Sequence, residues 1–286
     1  MGAAPLAVLT SRVRVEERLL FAELDRRGVA YEQLDTRRAV FRVDQPSLPY
    51  GGALSREISH TRNLYATTLL EYSGVPVVNP ARIIALCGDK LLTALALQAA
   101  GVPTPRAIVT LTPEAAVDAL DDFGYPAVCK PVIGSWGRLG ARLVNRETAE
   151  TVLEHRAALP SPQYQIAYVQ EFVDKPDRDI KAYVFGGDVV GAIYKTSTNW
   201  RTNTARGGRA LVCPLTDDLV KLLCATAEAV GDGVLGIDVL EDRDGRMYVN
   251  EVNHTPEFHG AVEVLGVDLV GAYVDFVLSR VGGRLS

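Results

Sequence analysis

The feature that most constrains this fold is a predicted β-hairpin, residues 234–253, whose apolar strands carry acidic and amide side chains. The strands VLGIDVLE and MYVNEVN flank a polar turn at residues 242–245. Asp238 lies between Ile237 and Val239, where an ionised carboxylate is costly to bury without a partner. The hairpin therefore predicts a site at which a buried charge is compensated.

Two further polar residues, Glu251 and Asn253, lie two positions apart on the second strand, so both project from one face. If Asp238 lies opposite them, three oxygen ligands converge, and a hard cation such as Mg²⁺ or Mn²⁺ would offset the cost of burial. A solvated hairpin surface is the alternative. It explains neither the apolar neighbours of Asp238 nor the clustering of polar residues at one end, so the pattern favours a metal site.

A lysine and a glycine-rich segment follow each other in CKPVIGSWGRLG. Lys130 ends a predicted strand, and residues 134–140 lie between two strands, which is not the position of the dinucleotide-binding fingerprint. The sequence contains no Walker-type loop. A lysine beside a glycine hairpin is typical of a phosphate cover. Lys90, in CGDK, is a second candidate, although either lysine alone would more often be a surface residue.

Two weaker patterns complete the candidate site. A strand ending at residues 170–173 is followed by a polar linker that could bind an adenine edge, and Asp179 could accept from ribose hydroxyls, although many loops share this pattern. Arg206, before two glycines in TNTARGG, could bind a phosphate through a bidentate fork. The RGG could also indicate RNA binding, but one copy without interleaved aromatic residues is poor evidence.

The order of predicted elements indicates an α/β unit followed by an α+β unit. A strand at residues 5–11, a helix at 15–28 and a second strand form a β-α-β start, typical of a parallel sheet. Later segments, including residues 165–173 and 179–196, predict antiparallel strands with a hairpin turn at Gly186–Gly187. A helix at residues 267–280 closes the chain. We expect two domains, 1–82 and 83–286.

Composition excludes several classes of function. A net charge of −5 over 286 residues gives no general case for nucleic-acid binding. The four cysteines form no C-x-x-C pair, and His254 and His259 have no third histidine nearby, so a zinc site is disfavoured. The sequence has no secretory pattern or membrane-spanning apolar run, and the cytoplasm is the expected compartment. Arg12, Arg14 and Arg18 are equally compatible with docking an acidic partner and with a solvated surface.

The strings CGDK, KPVIGSWGRL, QEFVDKPDRDI, TNTARGG and NEVNHTPEF together resemble the ATP-grasp superfamily, and within it the RimK/LysX group. The resemblance covers essentially the whole chain. It implies an ATP-grasp fold preceded by an α/β pre-ATP-grasp domain, residues 1–82. It further implies a lid-bearing subdomain with the glycine loop at about residues 104–168 and a metal- and substrate-binding subdomain at about 169–286.

The resemblance also implies a role for each matched residue in binding ATP and metal. ATP would be bound by Lys90, Lys130, Gly134, Ser135, Trp136, Gly137, Arg138, Gln170, Glu171, Phe172, Val173, Asp179 and Lys181. Two Mg²⁺ ions, or Mn²⁺, would be bound by Asp238, Glu251 and Asn253. Catalysis would depend on Arg206, Lys130 and Lys181. Lys181 stands where these enzymes usually have arginine, so it keeps the charge and loses the fork.

The amino-acid substrate would lie near Arg62, Asn203, Thr204, Arg206, Asn253 and Thr255. We therefore expect an ATP-dependent ligase that joins α-aminoadipate or glutamate to the C-terminal glutamate side chain of a small acidic LysW-type carrier protein, through an acyl phosphate. The pathway would be lysine, arginine or a related amino-acid biosynthesis.

Two alternatives stay open at this point. One is a RimK-like ligase that adds glutamate to another protein's C-terminus. The other is a non-catalytic ATP-binding module, against which the complete set of metal ligands and Arg206 argues. By analogy with the family, we expect a dimer or tetramer, and neither a nucleic acid nor a membrane as a partner.

Overall fold

The N-terminal part of the chain folds around a parallel sheet in the computed structural model, which describes residues 4–134, 137–196 and 209–285. Its elements are β1 (Leu6–Leu9), α1 (Val15–Arg26), β2 (Tyr31–Leu34), β3 (Gly52–Ser55), α2 (His60–Tyr72) and β4 (Val77–Val78). The strand order is β2-β1-β3-β4, with parallel pairing. Strands β1 and β3 are buried along their whole length, as expected of a parallel sheet covered on both faces. The predicted β-α-β start is confirmed.

Two helices, α3 (Ala81–Gly88) and α4 (Lys90–Ala99), lead out of this sheet and meet at a sharp break. Asp89 has extended backbone angles at the break, and its side chain accepts hydrogen bonds from the backbone N–H groups of Leu91 and Leu92. This N-cap starts α4 at Lys90. The predicted helix interruption is confirmed. Because α3 begins at Ala81, the expected domain boundary between residues 82 and 83 falls within its first turn.

An antiparallel sheet with two helices follows. Its elements are β5 (Ala107–Thr110), α5 (Pro113–Phe123), β6 (Ala127–Lys130), β7 (Ala141–Leu143), α6 (Arg146–Ala157), a short 3₁₀ helix (Pro162–Tyr164) and β8 (Ala167–Glu171). The strand order is β5-β8-β6-β7. Cys129 and Val169 pack towards the helices in a small apolar core. Their neighbours Lys130 and Gln170 alternate with them and therefore project from the opposite face.

The remaining chain forms a five-stranded antiparallel sheet between two helical layers. Its elements are β9 (Arg178–Phe185), β10 (Asp188–Thr196), β11 (Arg209–Val212), α7 (Asp217–Val230), β12 (Val234–Glu241), β13 (Met247–Asn253), α8 (His259–Val262), α9 (Leu269–Val281) and a 3₁₀ turn (Gly282–Arg284). The strand order is β11-β10-β9-β12-β13. One face packs on α3, α4 and α7, and the other packs on α9 and the N-terminal sheet.

Both predicted hairpins are present in this sheet. Strands β9 and β10 turn at Gly186 and Gly187, whose φ angles of 63° and 93° explain the two glycines. The predicted antiparallel strand at residues 165–173 is confirmed as β8. Strand β8 pairs with β5 and β6, so it lies in a different sheet from β9, and the polar linker between them carries the chain across. Strand β11 and helix α8 had no sequence prediction. Among the described helices, none combines the length and apolar character that a membrane crossing requires.

Candidate active site

One row of side chains across three adjacent strands forms the centre of the site. The register places Lys181 of β9 opposite Asp238 of β12, and Asp238 opposite Glu251 of β13. Cross-strand partners project from the same face. Asn253 joins them, because its Nδ2 donates to Asp238 Oδ2 at 2.7 Å and to Glu251 Oε1 at 3.4 Å. The structure thus brings together the three residues that the sequence predicted as metal ligands.

A β-bulge in β13 allows Val249 and Val252 to face the core while Glu251 and Asn253 face the site. Val249 and Val252 are both buried in the core beneath the sheet, although strict alternation would place them on opposite faces. The pairing with β12 skips Asn250, which is therefore the extra residue of the bulge. The sequence signal was the spacing V-N-E-V-N, in which two polar residues separate the valines.

Asn250 links the central sheet to the sheet that carries Lys130. Its Oδ1 accepts hydrogen bonds from Lys130 Nζ at 2.8 Å and from Gln170 Nε2 at 3.3 Å. Lys130 Nζ also donates to Gln170 Oε1. The sequence pattern predicts the lysine and the glutamine as site residues and does not predict the asparagine that connects them.

Two lysines bind the buried carboxylate of Asp238, which is 5% exposed. Lys181 Nζ donates to Oδ2 at 3.0 Å, and Lys195 Nζ donates to Oδ1. Burial by itself would raise the pKa of Asp238, but the two lysines hold it below its usual range. Lys195 was not predicted, because its approach to Asp238 depends on strand order, with β9 lying between β10 and β12.

The donor set of this row fits a hard divalent cation. Asp238 and Glu251 supply carboxylate oxygens on one face, and rotation of the Asn253 amide about its terminal bond would add Oδ1. A buried carboxylate requires nearby positive charge, which Lys181 and Lys195 provide here. A cation between the two carboxylates would supply the same compensation.

On one side of the row, a cavity of about 150 Å³ collects nearly all residues predicted to bind ATP. We call it the smaller cavity. Its predicted lining residues are Lys90, Lys130, Gly134, Gly137, Arg138, Gln170, Glu171, Phe172, Val173, Asp179, Asp238 and Glu251. Ser135 and Trp136 lie outside the described residues. Lys181, a member of the row that was also predicted to bind ATP, does not line the smaller cavity and instead lines the cavity on the other side of the row.

Two lysines that line the smaller cavity, Lys90 and Lys130, are fixed differently. Burial lowers the pKa of Lys130 to about 8, although the negative charge of Glu251 opposes this shift. Lys90 Nζ donates to the Gly134 carbonyl at 2.7 Å and lies 4.0 Å from Glu251 Oε2. Lys90 thus connects the glycine segment to Glu251 of the row. An anion that enters the cavity would stabilise the positive charges of both lysines.

The residues predicted to bind the base and the sugar also line the smaller cavity. Glu171 uses its carboxylate to accept hydrogen bonds from the backbone N–H and Nε of Arg106, both at 2.8 Å. Its backbone is therefore the part suited to a base. Arg142 stacks on Phe172, with Cζ 3.9 Å from the ring centroid. Asp179 forms an ion pair with Lys175.

On the other side of the row, a larger cavity of about 510 Å³ extends towards the N-terminal sheet. Thr255, predicted near the amino-acid substrate, lines it together with Asn253. Arg62 is not among the described residues that line it, and its Nη2 instead lies 3.2 Å from Oε1 of Glu57, which does. The predicted substrate residues Asn203, Thr204 and Arg206 lie outside the described residues.

The N-terminal arginine cluster separates in the structure. Arg12 and Arg18 are exposed, whereas the Arg14 side chain is 15% exposed and lines the larger cavity. Of the two alternatives left open for this cluster, a solvated surface does not describe Arg14. The cause is its position as N-cap of α1, where extended backbone angles turn its side chain back onto Glu17.

Buried ion pairs fix this wall of the larger cavity. Arg56 Nε lies 2.8 Å from Glu17 Oε1, and both side chains are 0% exposed. Arg14 donates to the same carboxylate through Nε at 3.0 Å and Nη2 at 2.9 Å. Arg56 Nη1 also donates to the Pro256 carbonyl at 3.1 Å. The N-terminal domain thereby holds the loop that follows the metal-ligand strand.

The chain matches two family models that together cover most of its length. Residues 6–86 match the LysX preATP-grasp domain, and residues 87–277 match the RimK-like ATP-grasp domain. The crystal structure of a RimK domain ATP-grasp protein from Sphaerobacter thermophilus has a TM-score of 0.83 and 28% identity. The aligned region covers 96% of this chain and 100% of the Sphaerobacter chain.

Curated relatives agree with these models. The glutamate–LysW ligase ArgX of Sulfolobus acidocaldarius is 31% identical over 274 residues, covering 95% of this chain and 97% of that protein. The α-aminoadipate–LysW ligase LysX of the same organism is 41% identical over 212 residues, covering 74% and 77% respectively.

Proposed function

Because the chain belongs to the RimK-like ATP-grasp family of ligases, we propose that it joins the amino group of α-aminoadipate or glutamate to a carboxylate of a LysW-type carrier protein. The acceptor is the side chain of the carrier's C-terminal glutamate, and the product is an amide. As a member of this family the enzyme uses ATP and Mg²⁺. Two metal ions, a carrier partner and a dimer or tetramer are parts of the proposal.

The observation that carries the proposal is the position of Asp238 and Glu251 at the junction of two cavities. Both carboxylates line the smaller cavity, with the lysines suited to phosphates, and both line the larger one. A γ-phosphate held at this junction would face a carboxylate and an amine that enter from the larger cavity. This is the geometry that transfer of a phosphoryl group to a carboxylate requires.

The reaction has two steps. A carboxylate oxygen of the carrier attacks the γ-phosphorus of ATP, the bond to the β–γ bridging oxygen breaks, and ADP leaves. The result is an acyl phosphate. The neutral amine of the amino acid then attacks the acyl carbon, inorganic phosphate leaves, and the nitrogen loses its proton to form the amide.

The chain's own residues neutralise and shield charge in the first step. Lys90 and Lys130 face the phosphates, and Arg206 would bind the phosphorylated carboxylate. Asp238, Glu251 and Asn253 would hold Mg²⁺, which when bound adds positive charge beside the β- and γ-phosphates. The glycine segment covers the smaller cavity and would exclude water, since an acyl phosphate hydrolyses.

The intact mass of the carrier tests the proposal. Purified LysW-type carrier is incubated with the protein, ATP, Mg²⁺ and an equal mixture of glutamate and α-aminoadipate. We expect a mass increase of one amino-acid residue, which also identifies the preferred substrate. The Arg206→Ala variant should bind ATP and form no amide, and unchanged product formation would remove Arg206 from the site.

Other outcomes distinguish the alternatives. ADP release without a change in carrier mass would retain the ligase and contradict the carrier as its acceptor, favouring another protein's C-terminus. Neither ADP nor product would favour a non-catalytic nucleotide-binding module.

A further inference from the structure

We propose that Arg14 binds the side-chain carboxylate of the incoming amino acid and makes the enzyme selective for acidic amino acids. This inference rests on the proposed function, because it assigns the residue that recognises the amine substrate. Arg14 reaches the larger cavity from the N-terminal domain, as do Glu57 and His60, whereas the row of Lys181, Asp238, Glu251 and Asn253 belongs to the following domain.

The two edges of the Arg14 guanidinium face different carboxylates, Glu17 on one edge and Glu257 on the other. Its Nε and Nη2 donate to the two oxygens of Glu17, which fills the side-on edge. The end-on edge contains Nη1, which lies 3.3 Å from Glu257 Oε1. An end-on guanidinium edge binds a carboxylate through two parallel N–H groups. The arrangement therefore offers one geometry for an incoming carboxylate.

Glu257 occupies this edge in the manner of a substrate carboxylate. Its side chain is 37% exposed and lines the larger cavity, and its contact with Arg14 is longer than those of Glu17. A substrate carboxylate would displace the exposed side chain of Glu257 and leave Glu17 in place. Glu257 is thus a carboxylate that competes with the substrate.

The support behind Arg14 is rigid. Glu17 is also bound by Arg56, and both are fully buried. The end-on edge of Arg14 is therefore oriented before any substrate binds, which limits the entropy lost on binding. The remaining acid on this wall, Glu57, accepts hydrogen bonds from Ser11 Oγ at 3.0 Å and the Ser59 backbone at 2.8 Å, so its charge is already satisfied.

The position of Arg14 suits a side-chain carboxylate better than an α-carboxylate. The amine attacks beside Asp238, so the α-carboxylate, one carbon away, lies near Lys181. Tyr183 stands two residues further along β9, about 7 Å away at the usual strand rise. Its hydroxyl donates to the Glu257 carbonyl at 3.1 Å, and Arg14 lies beyond, at the Glu257 side chain. Lys181 and Arg14 line the larger cavity from different elements, so a substrate whose α-carboxylate lies at Lys181 would present its side chain to Arg14.

The test compares kcat/KM for acidic amino acids with that for their neutral side-chain amides. Glutamate is paired with glutamine, and α-aminoadipate with its amide. In Arg14→Gln we expect about a 100-fold loss for the acids and less than about a threefold change for the amides, because a charge-assisted contact is removed. Arg26→Gln removes an exposed arginine from the same helix and should change neither.

A second variant tests the competition directly and does not disturb Glu17. Glu257→Gln should lower KM for the acidic amino acids by about threefold to tenfold, because a neutral amide competes less well for the guanidinium. A merely structural Arg14–Glu257 contact would predict an unchanged or higher KM.

Three results would overturn the inference. They are equal losses for acids and amides in Arg14→Gln, an unchanged or raised KM in Glu257→Gln, and a wild-type preference for the amides. All three leave the ligase assignment intact. Failure of the wild-type protein to form an amide with any amino acid would overturn the proposed function together with the inference.

Discussion

The two cavities that meet at Asp238 and Glu251 are built in different ways. The smaller cavity is lined by short contiguous strings, and Lys90 and Lys130 are the lysines proposed to bind phosphates there. The larger cavity is closed by a wall from the N-terminal domain, where Arg14 is fixed through buried ion pairs. The difference teaches that groups for phosphate chemistry come from local motifs, whereas the substrate wall depends on long-range packing.

The largest effect is expected when the buried Arg56–Glu17 ion pair, which supports the wall of the larger cavity, is broken. In Arg56→Met, Glu17 loses a buried partner, and we expect the free energy of unfolding to fall by about 3–5 kcal/mol. Urea denaturation measures the loss, with the exposed Arg26→Gln variant as a control that changes it by less than about 0.5 kcal/mol. ATP affinity should be unchanged. An equal loss of ATP affinity would show that the two cavities share one support.

A change at the junction should affect chemistry without affecting the fold. Glu251→Gln removes a carboxylate from the metal-ligand row, and we expect ATP turnover to fall by about 10²–10³-fold because transition-state charge is less well compensated. ADP release measures turnover, and circular dichroism should be unchanged. Asp244→Asn, in the exposed turn of the same hairpin, is the matched control. Normal turnover in Glu251→Gln would contradict a catalytic role for a metal ion held by Glu251.

The lysines on Asp238 allow a finer test. In Lys195→Met the buried carboxylate of Asp238 keeps one lysine, Lys181, beside the Asn253 amide, so we expect about 1.5–3 kcal/mol less stability at neutral pH without metal. Because both lysines depress the pKa of Asp238, its stabilising contribution is present above about pH 4 and lost as the pH falls. Removing one lysine should move acid unfolding to higher pH.

Metal should partly replace the missing lysine. We expect Mg²⁺ with ATP to raise the thermal midpoint of Lys195→Met more than that of the wild type, and Lys221→Met, on an exposed face of α7, to match the wild type. Equal shifts in all three proteins would contradict a shared position for lysine and cation on Asp238.

The smallest effect concerns the protonation of Lys130. Its pKa is about 8 because burial disfavours the charge, and bound phosphates should raise it. ATP binding should therefore take up as much as one proton above pH 8, and affinity should fall by up to about tenfold per pH unit there. Calorimetry in two buffers of different ionisation enthalpy measures the uptake, which Lys130→Met should abolish. Binding without proton uptake at pH 9 would contradict the assignment.

The sequence predicted the parts of the site that depend on neighbouring strands. Asp238 and Glu251 meet within one hairpin, so the period of two residues was sufficient. Lys195 could not be assigned, because it approaches Asp238 over β9 and strand order is a tertiary property. Arg14 and Arg12 look equivalent in SRVR. Their difference arises because Arg14 is the N-cap of α1 and turns back onto Glu17, beside Glu257, which is more than 200 residues away.

The bulge at Asn250 has a genetic consequence. Deleting that single codon would leave Val249 opposite Val239 and Glu251 opposite Asp238, which is an uninterrupted antiparallel ladder. The mutant protein would keep every metal ligand in register and lose the amide that joins Lys130 and Gln170 to the central sheet. One missing triplet would thus separate two properties that point substitutions tend to mix, the proposed binding of the ion and the anchoring of the lysine proposed to bind the nucleotide.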